Sequence, residues 1–81
     1  MKITDFVLPK WGLEMEEATV TEWLKQVGDD VKIGEPVVAI ETDKAAGEVE
    51  AEVSGRLTEI CAAPGAVVKP GEVLARIEVD G

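Results

Sequence analysis

The runs ATVTEWL, PVVAIET, GEVEAEV, GRLTEI and EVLARIEV are rich in Val, Ile and Thr, and Gly or Pro interrupts the chain every few residues between them. That is the pattern of short β-strands joined by tight turns. No segment sustains a helical period. VGD and PGA fit turns in which glycine takes a positive φ, and IGE and PGE predict a second tight turn further along. In GEVEAEV the alternation is cleanest. Val49, Ala51 and Val53 are assigned to the inner face, and Glu48, Glu50 and Glu52 to solvent.

The chain also repeats itself. Sliding Thr21 onto Thr58 lays TEWLKQVGDDVKIGEPVVAIETD over TEICAAPGAVVKPGEVLARIEVD. Both glycines of each copy align, as does the whole G-x-x-V-K-x-G-E string, which predicts two copies of one structural unit at about 19–43 and 56–80. Positions apolar in both copies are assigned to the core: Val20 with Leu57, Leu24 with Cys61, Val31 with Val68, Val38 with Ala75, and Ile40 with Ile77. Strict alternation fails at Glu22, which would share a face with Val20 and Leu24, and fails again at Glu59. A β-bulge in each copy would repair it.

Two such antiparallel units predict an all-β fold: a flattened barrel or sandwich of two antiparallel sheets, about four strands each, with approximate two-fold symmetry. The symmetry isolates one lysine. Asp43 ends the first copy where Asp80 ends the second. After Asp80 the chain stops, whereas after Asp43 it must turn back at once into AGEVEAEV, so Asp43 and Lys44 are predicted at the tip of a tight hairpin. A type I turn there needs no glycine. Lys44 is thereby held on a short, stiff projection away from the termini.

The length of 81 residues and a hydrophobic content of 46% suit one small domain over residues 1–81. Cys61 has no partner in the chain, which points to a reducing, intracellular setting, cytoplasmic in a bacterium or otherwise intracellular. No apolar run approaches a bilayer span, and MKITDFVLPK has no signal-peptide core. The net charge of −9, from eight Lys and Arg against seventeen Asp and Glu, excludes nucleic acid and anionic membranes as expected partners. It fits either a basic partner surface or simply a solvated acidic face.

The absence of histidine removes the usual Ser-His-Asp and Cys-His arrangements, so the isolated domain is not expected to be an enzyme. Glu48, Glu50 and Glu52 read as the wet side of a strand, and Asp29-Asp30 lack the spacing of a calcium loop, so no metal site is expected. Cys61, opposite Leu24 in the repeat, reads as a small core residue. An exposed turn lysine by itself is usually only a solubilising charge.

Taken together, LPKWGLEMEEATVTEWL, VGDDVKIGEPVVAIETDKA, EVEAEVSGRLTEI and PGAVVKPGEVLARIE resemble the lipoyl domains of 2-oxo acid dehydrogenase complexes over nearly the whole chain. The resemblance implies the barrel-sandwich hybrid fold. It also implies that the lysine of ETDKA, Lys44, bears lipoic acid as an amide, with Glu41, Asp43 and Ala45 as flanking recognition residues. By the same resemblance, the parent chain is the acyltransferase of a pyruvate, acetoin or branched-chain type complex. The lipoyl arm shuttles between a thiamine-diphosphate-dependent decarboxylase, the acyltransferase catalytic domain and dihydrolipoyl dehydrogenase. Attachment falls to a lipoate ligase, or to an octanoyl transferase with lipoyl synthase. The loop KWGLEMEE, with Trp11, Gly12 and Leu13, is assigned to decarboxylase recognition, although Trp11 and Leu13 fit a cap on the sandwich edge equally well. Glu48, with Glu41 and Asp43, would steer a basic partner mouth or keep carriers apart.

Three rivals share parts of this pattern. A biotin carrier has the same fold and a tip lysine, but typically flanks that lysine with methionines where this chain has Asp43 and Ala45. The glycine-cleavage carrier is longer, with added helical segments. An unmodified lipoyl-like interaction module, as in membrane-fusion adaptors, has no need of a lysine at the tip. With no Pro/Ala-rich linker after the last strand, the chain is expected to be an excised, monomeric piece of a longer acyltransferase, with a free-standing carrier as the alternative.

Overall fold

The computed structural model describes residues 2–10 and 16–79. They form β1 (Lys2–Val7), β2 (Ala18–Trp23), β3 (Asp30–Val31), β4 (Pro36–Glu41), β5 (Ala46–Glu50), β6 (Gly55–Ile60), β7 (Val67–Val68) and β8 (Val73–Val79). The strands make two four-stranded sheets, ordered β1-β8-β6-β3 and β5-β4-β2-β7. Every pairing is antiparallel. The all-β sandwich expected from the alternation is the observed fold, with overall dimensions of 36 × 22 × 18 Å. Strands β1, β3 and β7 escape the sequence pattern. Two of them are only two residues long, and β1 is an edge strand that buries Phe6 alone.

The backbone hydrogen bonds obey the repeat. Gly28 N–H donates to Leu57 O at 2.7 Å, and Gly65 N–H donates to Val20 O at 2.7 Å. Leu24 N–H reaches Val37 O and Cys61 N–H reaches Leu74 O, both at 2.8 Å. Each copy therefore ties its first turn into the first strand of the other, which staples the two sheets together. The second turns run Lys32 to Glu35 and Lys69 to Glu72, closed by N–H···O bonds of 2.9 and 3.0 Å. Their third residues, Gly34 and Gly71, have φ of 88° and 91°, the left-handed value a type II turn demands at that place.

Four of the five core pairs expected from the repeat are buried: Val20 with Leu57, Val31 with Val68, Val38 with Ala75, and Ile40 with Ile77. The fifth is corrected, since Leu24 and Cys61 are both exposed. The cause is the bulge itself. The β2–β4 register shifts between Val20 and Glu22, and the β6–β8 register shifts between Leu57 and Glu59. One extra residue in the strand reverses the faces beyond it, so Trp23 turns inward and Leu24 outward. A second irregularity in each copy, at Val37 in β4 and at Leu74 in β8, buries two consecutive residues, Val37-Val38 and Leu74-Ala75. In GEVEAEV, Val49 and Ala51 are buried and Val53 packs against the core as a partly buried neighbour, while the three glutamates stay exposed.

Candidate functional site

The β4–β5 hairpin is closed by the Glu41–Ala46 pair and turns through Thr42, Asp43, Lys44 and Ala45. Thr42 N–H donates to Ala45 O at 2.7 Å. The Thr42 hydroxyl donates to that same carbonyl at 3.1 Å and accepts from the amides of Ala45 at 3.1 Å and Lys44 at 3.4 Å. No non-glycine residue among those described has a positive φ, so Asp43 and Lys44 make the turn without left-handed backbone. Asp43, Lys44 and Ala45 are exposed, and Thr42 is half-buried.

Strand register locates this tip within the fold. Thr19 faces Glu41, and Ala18 faces Val68. The Lys69–Glu72 turn then leads directly into β8, so β8 starts at the lysine end and runs away from it. Its last residue, Val79, pairs with Lys2. The described ends of the chain therefore lie at the far end of the sandwich from Lys44, about 20 Å along β8 at the usual rise per residue. Because β2 starts beside the hairpin, the connector that precedes it enters the sheet at the lysine end. Trp11, Gly12 and Leu13 of that connector lie outside the described residues.

The outer face of the lysine sheet is acidic. Glu22 from β2 and Glu48 from β5 both pair with Ala39 from opposite sides, and Glu41 lies two residues further along β4. All three are exposed, as is Asp43. The structure thus brings the expected Glu41, Asp43, Ala45 and Glu48 to one hairpin and its sheet face. It adds Thr42, and it adds Glu22, which the sequence pattern marked only as the place of a bulge. A signal for Thr42 exists in the repeat, where it aligns with Val79, so the hydroxyl occurs in the first copy and not in the second.

Nothing at the tip resembles an enclosed active site. A cleft of about 560 Å³ lies between the edge strands β1 and β5, floored by Phe6, Val49 and Ile77, and does not include Lys44. No group of acidic or cysteine side chains among the described residues is arranged to hold a metal. Among the described residues no helix is long and apolar enough to cross a membrane. Cys61 lies 3.6 Å from the Arg76 guanidinium, which also pairs with Glu59 at 2.9 Å and Asp5 at 3.4 Å. The Glu59 hydrogen bond is the main reason the Arg76 pKa is raised. That network braces the outer face of the other sheet, remote in register from Lys44. An exposed lysine on a hairpin whose four-residue turn holds no glycine suits a covalently attached arm.

Comparison with known proteins accords with this geometry. Residues 4–77 match the Biotin_lipoyl family, described as "Biotin-requiring enzyme". The chain is 42% identical over 74 residues to the dihydrolipoyllysine-residue acetyltransferase component of the pyruvate dehydrogenase complex of Corynebacterium glutamicum, covering 91% of this chain and 11% of that protein. It is 42% identical over 80 residues to the corresponding component of the acetoin cleaving system of Pseudomonas putida, covering 99% of this chain and 21% of that protein. The chain therefore spans between about a tenth and a fifth of the length of these relatives. The lipoyl domain of the 2-oxoglutarate dehydrogenase complex from Azotobacter vinelandii superimposes with a TM-score of 0.74 at 38% identity, covering 95% of this chain and 98% of that one. The urea carboxylase of Kluyveromyces lactis shares the fold, with a TM-score of 0.75 at 25% identity over 96% of this chain and 6% of its own. The family embraces biotin and lipoyl domains alike, and identity is higher on the lipoyl side. The chain belongs to the Biotin_lipoyl family and is a lipoyl domain, a carrier of covalently attached lipoic acid.

Proposed function

We propose that Lys44 is the lipoylated residue and that residues 1–81 act as one carrier unit, built from repeats at about 19–43 and 56–80. The observation that carries this reading is the exposure of Lys44 at the two-residue tip of the β4–β5 hairpin. In attachment, the neutral Nζ attacks the carbonyl of an acyl adenylate made from lipoate and ATP. The amide C–N bond forms as the C–O bond to AMP breaks, and the amine proton passes to solvent. Once bound, the lipoyl group supplies a dithiolane that opens to accept an acyl group and two electrons and closes again on oxidation.

The contribution of the chain is position. A stiff hairpin presents the amine at one height and orientation, and tethering to a larger assembly raises the local concentration of the arm at each partner toward the millimolar range. Catalysis then resides in the partners and not in this domain. They are a thiamine-diphosphate-dependent 2-oxo acid decarboxylase, the acyltransferase domain of the parent chain and dihydrolipoyl dehydrogenase, in the cytoplasm. Glu41, Asp43 and Ala45 flank the lysine for the attaching enzyme, either a lipoate ligase or an octanoyl transferase followed by lipoyl synthase. Trp11, Gly12, Leu13 and Glu48 serve recognition by the decarboxylase. The net charge of −9 keeps isolated carriers apart and the domain monomeric.

Intact mass after incubation with lipoate, ATP and a lipoate ligase tests the assignment beside a Lys44→Arg control. The unaltered chain is expected to gain one lipoyl adduct and the variant none. An equal gain in both would move the site elsewhere. A gain seen only with biotin and a biotin ligase would replace the cofactor.

A further inference from the structure

Thr42 makes every hydrogen bond its hydroxyl can make, and makes all of them within the lysine turn. A hydroxyl offers one donor and two acceptor positions. Here the donor goes to Ala45 O, and the acceptors serve the amides of Ala45 and Lys44. In a common type I turn the first residue's carbonyl would receive the fourth residue's N–H. In this hairpin the Thr42 side chain takes that amide instead, while Thr42 N–H closes the loop from the other side. The second copy of the repeat serves as an internal control. Its equivalent residue, Val79, lies in β8 and pairs with Lys2 on a separate strand, and the hydroxyl is replaced by a methyl of the same shape.

We propose that Thr42 is the positioning residue of the carrier lysine: its hydroxyl locks the Asp43–Lys44 tip into the one geometry the attaching enzyme accepts. The inference rests on Lys44 being the attachment site. Thr42 neither meets the acyl donor nor moves a proton. It acts through the backbone amide of Lys44, which sets the direction in which the side chain leaves the hairpin. Without the hydroxyl, the amides of Lys44 and Ala45 turn to water, and the tip samples several orientations of which only some are productive.

Three variants, Thr42→Val, Thr42→Ser and Lys44→Arg, test this with two readouts. The first is amide hydrogen exchange in the unmodified protein, with Val49 as a core reference. The second is the rate of lipoyl attachment by a lipoate ligase. Valine is already accommodated at the equivalent place in the other copy, so the fold should persist, with Val49 exchange unchanged. Thr42→Val is expected to speed exchange at Lys44 and Ala45 and to lower kcat/KM for attachment, each by roughly tenfold, a change of the order expected for one or two lost hydrogen bonds. Thr42→Ser, which restores the hydroxyl, is expected to recover both. Attachment to Thr42→Val at the unaltered rate, or a loss that serine does not recover, would overturn the role of Thr42. If Lys44→Arg blocks the adduct in the same assay, that failure belongs to Thr42 alone. An adduct on Lys44→Arg would instead remove the attachment site and this inference with it.

Discussion

The indole Nε1–H of Trp23 donates a 2.7 Å hydrogen bond to the carbonyl of Ala62, joining the end of β2 to the segment just beyond β6. Both residues are buried. The bond exists because the bulge before Glu22 turns Trp23 inward, and it crosses from the first copy of the repeat to the second. Trp23→Phe keeps most of the apolar area but leaves the Ala62 carbonyl without its donor. It should cost about 1–3 kcal/mol. Trp23→Ala should cost about 3–5 kcal/mol by adding a cavity. Denaturant midpoints of the two variants check the order.

Gly55 has no room for a side chain. A Cβ there would run into the backbone carbonyl of Glu78 on β8 and the side chain of Ile77. Backbone in a central strand cannot step aside as a side-chain end can. Gly55→Ala should therefore destabilise the domain by roughly 1–3 kcal/mol through overpacking, although its φ is ordinary. Thermal unfolding of this variant beside Gly28→Ala separates crowding from turn strain, since a Cβ at Gly28 meets nothing but sits at φ 98°.

Cys61 is exposed, contrary to its pairing with Leu24 as a core position. It should react with a thiol reagent in the native protein as fast as a surface cysteine does. Cys61→Ser should leave stability within about 0.5 kcal/mol. Protection of the thiol until global unfolding would return it to the core.

Glu35 accepts hydrogen bonds from Lys25 Nζ at 3.3 Å and from the Lys32 amide at 2.7 Å. These bonds, the one from Lys25 foremost, lower its pKa from the ordinary glutamate value. A carboxyl whose pKa is lower folded than unfolded stabilises the protein above the unfolded value, and that stabilisation is lost as pH falls through the folded one. Relative to the unaltered chain, Glu35→Gln should be less stable at neutral pH, with the difference narrowing as the solution is acidified below about pH 4. Urea midpoints at a series of pH values would show it, and a constant difference across the range would remove the charge from the account.

How much was legible in the sequence depended on whether a local pattern or a long-range fit decided the residue. Alternation in GEVEAEV, the turn glycines and the internal repeat are local or self-referential signals, and from them followed the all-β class, four of the five core pairs, the bulge at Glu22 and the hairpin that exposes Lys44. Three features were settled only by the folded backbone. Which side of the bulge Trp23 and Leu24 take depends on where the extra residue sits against β4, and a one-residue offset reverses the face. The bulges at Val37 and Leu74 exist because two consecutive side chains fill space between the sheets, which no alternation rule foretells. The closure of the lysine turn by the Thr42 hydroxyl depends on the distance between two residues brought together by a hairpin, and the chemistry of a threonine in a sequence does not say which amides it will meet.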